Sequence, residues 1–112
     1  MHELGIVLEI FELIEEISQE QNLKEISSVT VEVGELSGVI PEYLAECWKA
    51  ARLSSQFEHT ELNLITIPAT ALCACGQEYE MTKNSRICPY CHKTDYTIQH
   101  GREFMVKEIE AR

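Results

Sequence analysis

With 112 residues, 45% of them hydrophobic and 25% charged, the chain is one small domain, or one domain carrying a small appended module, and is neither disordered nor fibrous. No apolar run approaches the roughly 20 residues needed to span a bilayer, and Met1-His2-Glu3 lacks the basic start of an export signal, which points away from membranes and towards the cytoplasm. Residues 1–60 hold twelve acids and three bases, a net of −9 within a total of −10, and this argues against nucleic acid, whose binding is driven by Lys and Arg displacing counterions.

Residues 4–20 have the pattern of an amphipathic helix. Ile6, Val7, Ile10, Leu13, Ile14 and Ile17 recur at spacings of three and four and form the inward stripe, opposite Glu9, Glu12, Glu16 and Glu20. Residues 26–34 alternate, Val29, Val31 and Val33 on one side and Thr30 and Glu32 on the other, as in a half-buried strand. Gly34 and Gly38 punctuate a loop. Pro41 suits the first turn of a second helix, 41–53, whose inward stripe is Leu44, Cys47, Trp48 and Ala51. A lone cysteine on such a stripe behaves as a small buried hydrophobe, so Cys47 is assigned no chemistry. The polar stretch 54–60 places His59 at the surface. Leu62 to Ile67 is apolar and β-branched and ends at Pro68, a second strand, and Glu103 to Ile109 forms a third after Gly101.

Between the last two strands lies a cluster of cysteines. Five cysteines, an odd number without an export signal, do not make a disulfide framework. Cys73-Ala74-Cys75-Gly76 and Cys88-Pro89-Tyr90-Cys91 are two close thiol pairs separated by a short hairpin, which suits tetrahedral zinc, each pair gripping one edge. Four thiolates around Zn(II) leave a charge of about −2 that backbone N–H groups in the two knuckles would offset. The first pair has one intervening residue rather than two, and His92, next to Cys91, is a substitute ligand. A redox dithiol at Cys88–Cys91 or an iron–sulfur site remains open. Residues 73–102 carry four bases and three acids, too few for a nucleic-acid stripe.

The amino terminus allows sharper chemistry. A free α-amine, the His2 amide and the His2 imidazole can close fused chelate rings on one ion, with the Glu3 amide completing a nitrogen-rich plane. Planar nitrogen ligation selects Ni(II) or Cu(II) over Zn(II). Amine and imidazole must be unprotonated, so binding weakens in mild acid.

Met1-His2-Glu3 entering an apolar helix, Val31-Glu32-Val33-Gly34-Glu35-Leu36-Ser37, Pro41-Glu42, the module ending in Cys88-Pro89-Tyr90-Cys91, and the closing segment Gly101–Ile109 together resemble the HypA/HybF family of hydrogenase nickel-incorporation proteins. The resemblance spans the chain in the family's order. It implies a metallochaperone, not an enzyme, that keeps a structural Zn(II) and carries Ni(II) as transient cargo. It implies work with a HypB-type GTPase and delivery to the [NiFe] hydrogenase large subunit. Carried over, the nickel residues are Met1 (through its amine), His2 and Glu3, and the zinc ligands Cys73, Cys75, Cys88 and Cys91. Two departures stand out: the family's first knuckle is C-x-x-C, and its residue after the second is often Gly where this chain has His92.

The expected architecture is α+β: two helices on a three-stranded sheet, with a zinc-ribbon-like hairpin inserted before the last strand. Residues 1–70 plus 101–112 would form the nickel-binding domain and 71–100 the zinc module, whose metal state is expected to tune the nickel site. The acidic first helix (Glu9, Glu12, Glu16) is a candidate contact for the GTPase. Neither nucleic acid nor membrane is an expected partner, a homodimer is left open, and the competing reading is a zinc-ribbon protein–protein adaptor that handles no nickel.

Overall fold

The computed structural model describes residues 3–112; Met1 and His2 lie outside the described residues. Helix α1 (Glu3–Glu20) and helix α2 (Pro41–Arg52) flank strand β1 (Ile26–Gly34), and β2 (Glu61–Ile67) follows. Then come three short strands, β3 (Thr70–Cys73), β4 (Glu78–Glu80) and β5 (Tyr96–His100), before β6 (Phe104–Ala111).

The larger sheet has the order β2-β1-β6, with β2 parallel and β6 antiparallel to the central β1. Strand alternation puts Val29, Val31 and Val33 on one face, each essentially fully buried under the two helices. Thr30 and Glu32 take the other face, half-buried. The helices close the core with Val7, Ile10, Ile14, Leu44 and Trp48. Complete burial of such a side chain contributes about 1.5–3 kcal/mol.

The phase of α1 differs from the expected stripe at one point. Leu13 is 41% exposed, and Phe11 is buried in its place. Phe11 meets the Trp48 ring edge-on, centroids 5.0 Å apart, and Phe57 at 5.1 Å. Aromatic partners on α2 and on the following turn therefore set the rotation of α1. Phe57 and Thr60 are buried although they sit in the polar stretch. The Thr60 hydroxyl donates to the Ile26 carbonyl (2.8 Å), and the Trp48 indole N–H donates to the Thr60 carbonyl (3.0 Å). His59 is exposed, and Cys47 packs half-buried against the core as a small hydrophobe.

The inserted segment is more than a hairpin. β3, β4 and β5 form a sheet of their own, order β4-β3-β5, antiparallel throughout. It has its own small core: Ala69, Ala71, Tyr79, Met81, Cys73 and Cys88, joined by Leu36 from the β1–α2 loop.

Two chain crossings tie this sheet to the larger one. The Gly34 N–H donates to the Glu103 carbonyl (2.7 Å), and the Leu36 N–H to the Gly101 carbonyl (2.6 Å). Gly101 has φ +117° and sits on Ala69, where a Cβ would lie 2.7 Å from the Ala69 Cα. The Gly101 N–H, together with the Glu103 backbone N–H, holds the Glu103 carboxyl below the usual carboxylate range, outweighing its partial burial, and the His100 imidazole adds to the same effect.

Candidate metal centre

The first cysteine knuckle is the turn between β3 and β4, and the second lies in the turns between β4 and β5. The first closes β3 onto β4: the Gly76 N–H donates to the Cys73 carbonyl (2.9 Å), and the Cys73 N–H to the Gln77 carbonyl (2.9 Å). Gly76 has φ +93°, a conformation glycine adopts without penalty. The Ala74 N–H donates to the Asp95 carbonyl (3.0 Å), which brings the segment before β5 against this turn. The second knuckle is closed by the Cys88 N–H to the Lys93 carbonyl (3.1 Å) and the His92 N–H to the Cys88 carbonyl (2.8 Å). Its last residue, His92, is left-handed at φ +64°.

Folding of the sheet brings all four sulfurs together, each within 4.8 Å of the others. Cys73 Sγ lies 3.3 Å from Cys91 Sγ, and Cys75 Sγ lies 3.8 Å from Cys88 Sγ. At a Zn–S distance of about 2.3 Å the edge of a tetrahedron is about 3.8 Å, so the spacing suits one tetrahedral ion. The shortened pair Cys73-x-Cys75 supplies both its sulfurs. His92 is not among the converging groups.

The site is half sheltered. Cys73 and Cys88 are buried, Cys91 is half-buried and Cys75 is exposed. Burial pushes the Cys88 thiol up, but the N–H groups of Cys91 and Tyr90 aimed at its sulfur outweigh it and bring the thiol down to about 7. The Cys75 N–H lies 3.5 Å from Cys73 Sγ. It favours the Cys73 thiolate, yet burial and the neighbouring sulfurs leave that thiol raised. Cys91 is likewise raised, the Lys93 N–H being outweighed by the Cys73 thiol and burial. Crowded sulfurs cannot all ionise alone; a cation among them would remove that conflict. A redox C-x-x-C gains reactivity by opening a helix, whereas Cys88–Cys91 lies in a turn with no helix following. The arrangement can therefore hold a soft, four-coordinate metal ion.

Of the amino-terminal candidates, Met1 and His2 fall outside the described residues. Glu3 opens α1 and is buried, 7% exposed. Its carboxylate accepts the Ile40 N–H at 3.3 Å. Ile40 is the N-cap of α2 and makes no side-chain cap of its own, so Glu3 caps α2 from the neighbouring helix, where the helix dipole favours negative charge. Sequence spacing could not show this contact, because 37 positions separate the two residues.

Residues 1–111 match the family described as HypA, hydrogenase/urease nickel incorporation, metallochaperone. Relatives include the hydrogenase maturation factor HypA of Albidiferax ferrireducens, 32% identical over 98% of each chain. The HypA of Methanosarcina acetivorans is 36% identical over 98% of this chain and 95% of its own. Among solved structures, the solution structure of the Ni metallochaperone HypA from Helicobacter pylori superposes with a TM-score of 0.67, covering 99% of this chain and 97% of that one at 22% identity.

Proposed function

Because the chain belongs to the HypA family of nickel-incorporation metallochaperones, we propose that it takes up Ni(II) at its amino terminus and passes it on during maturation of [NiFe] hydrogenase. The whole-length family match is the observation that carries this reading. Cys73, Cys75, Cys88 and Cys91 hold a resident Zn(II), which four thiolates with no open position would keep for structure and not for reaction. The converging sulfurs and the N–H groups aimed at them support that assignment.

Ni(II) is cargo. The Met1 amine, the His2 amide and imidazole and the Glu3 amide form its donor set, planar nitrogen ligation being the geometry that separates Ni(II) from Zn(II). A site at the chain end has no cage to open before release. Delivery runs to the hydrogenase large subunit with a HypB-type GTPase, and the exposed acids Glu9, Glu12 and Glu16 on α1 are its contact. The setting is the cytoplasm.

The test is metal analysis and Ni(II) titration of the untagged protein beside His2→Ala. Zinc near one per chain in both, with nickel binding lost only in His2→Ala, is the expected result. Wild-type binding should strengthen between about pH 6 and 8, as imidazole and amine lose protons with reference pKa values of about 6.5 and 7.7–8.0. Nickel binding indifferent to His2 would move the assignment to a zinc-ribbon adaptor, or to a nickel site built from the other histidines.

A further inference from the structure

The four clustered cysteines are not equally placed. Cys75 is exposed and Cys91 half-buried, while Cys73 and Cys88 are buried. Two sulfur contacts run from one knuckle to the other: Cys73 to Cys91 at 3.3 Å and Cys75 to Cys88 at 3.8 Å. A disulfide bond is about 2.05 Å long, so each pair could close by an approach of about 1–2 Å. Side-chain rotation supplies that while the backbone stays bonded, Cys73 to Gln77 and Cys88 to Lys93. Every cysteine of the cluster thus has a partner on the opposite knuckle. Cys47 packs on the larger core, apart from them.

Thiolate character and exposure decide which sulfur an oxidant meets. Thiols that ligate a metal are deprotonated already, so exposure makes the choice here, and it selects Cys75. We infer that Cys75 is an oxidation site for hydroperoxides, and that its oxidation is completed across the knuckles, as Cys75–Cys88 and then Cys73–Cys91. The resident zinc proposed above enters the consequence of this step and not the pairing.

The Cys75 thiolate attacks one oxygen of hydrogen peroxide. The O–O bond breaks, hydroxide leaves, and Cys75 becomes a sulfenic acid. The Cys88 thiolate then displaces hydroxide from the Cys75 sulfur as the S–S bond forms. Two electrons pass from the two sulfurs to one peroxide, which ends as two hydroxides. Cys73 and Cys91 repeat the step with a second peroxide. No thiolate is then left to hold an ion, yet two covalent links join the knuckles that the ion had joined. Links of this kind constrain the unfolded chain and so hold the fold. The oxidised module is therefore metal-free and still folded, and a thiol reductant reverses it by exchange.

The experiment treats the full, reduced wild-type chain with hydrogen peroxide. Dimedone, which traps sulfenic acids, should label Cys75 before any other cysteine. Peptide mapping without reduction should find Cys75–Cys88 and Cys73–Cys91, with Cys47 free. A chromogenic chelator should register loss of the whole zinc content while the module's amides stay dispersed in the NMR spectrum, whereas a chelator without peroxide should collapse them. Dithiothreitol with added zinc should return the starting spectrum. A dominant Cys88–Cys91 or Cys73–Cys75 bond, a first dimedone label elsewhere, or a module that melts with both cross-knuckle bonds in place overturns the inference. A reduced chain that carries no zinc as isolated would sink the zinc assignment alone, and the same mapping on that metal-free chain decides the pairing.

Discussion

Cys88→Ser should strip the chain of the zinc proposed above and melt residues 70–100 while the larger sheet stays folded. Cys88 is fully buried at the centre of a core of only six buried residues. A core that small does not support a fold unaided. A structural zinc supplies an apparent 10–16 kcal/mol in small zinc modules, roughly, and that energy is folding energy. Serine would remove one of four thiolates and leave a buried hydroxyl, itself a cost of about 1–3 kcal/mol when unpaired. Zinc analysis and amide dispersion in the NMR spectrum check this. Cys47→Ser is the control and should keep its zinc, since Cys47 packs on the other core. A Cys88→Ser protein with a full zinc and undisturbed module resonances would mean that another side chain, His92 first among them, completes the set.

The second large effect is expected at Gly34→Ala. A Cβ there would run into the carbonyl carbon and oxygen of Gly101 and lie 2.9 Å from the Glu103 amide nitrogen. All three are backbone atoms in the crossing that carries the Gly34–Glu103 hydrogen bond, so nothing nearby can rotate away. Overpacking typically costs about 1–3 kcal/mol, and against rigid backbone the upper end or beyond applies. A loss of about 10 °C or more in Tm follows for a chain of this size. Gly38→Ala is the comparison. Gly38 has φ +84° but open space around it, so only the left-handed penalty of about 1–2 kcal/mol applies. A Gly34→Ala melting point within about 2 °C of wild type would show that the two sheets are free to separate there.

Much of the larger sheet and both helices could be read from local periodicity. The valines of β1 alternate, the stripes of α1 and α2 repeat every three or four residues, and each signal is confined to its own element. What could not be read depends on partners distant in sequence. Phe11 displaces Leu13 from the core because Trp48 and Phe57 meet it. Thr60 is buried because Ile26 and Trp48 bond it. β5 had a usable signal, Tyr96 and Ile98 alternating with Thr97 and Gln99, obscured by the cysteines beside it. In the site, the sequence left the one-residue knuckle and His92 undecided. The structure brings both sulfurs of the short knuckle into the cluster and gives His92 a left-handed backbone, the conformation that glycine adopts without penalty.

The insertion of the small sheet between β2 and β6 also bears on how the chain folds. β1 and β2 can pair as soon as both are made, but β6, the last strand synthesised, must find β1 across residues 68–103. An ion bridging Cys73 and Cys91 short-circuits that excursion and roughly halves the loop that must close. Each halving is worth about 0.6 kcal/mol, or close to threefold in rate. Refolding should therefore be about threefold faster with zinc than with a chelator present. Until β6 docks, the Val29–Val33 strand keeps a bare edge, a template for pairing with another unfinished chain. With the proposed zinc in place, metal supply during synthesis would set how long each new molecule is prone to aggregate.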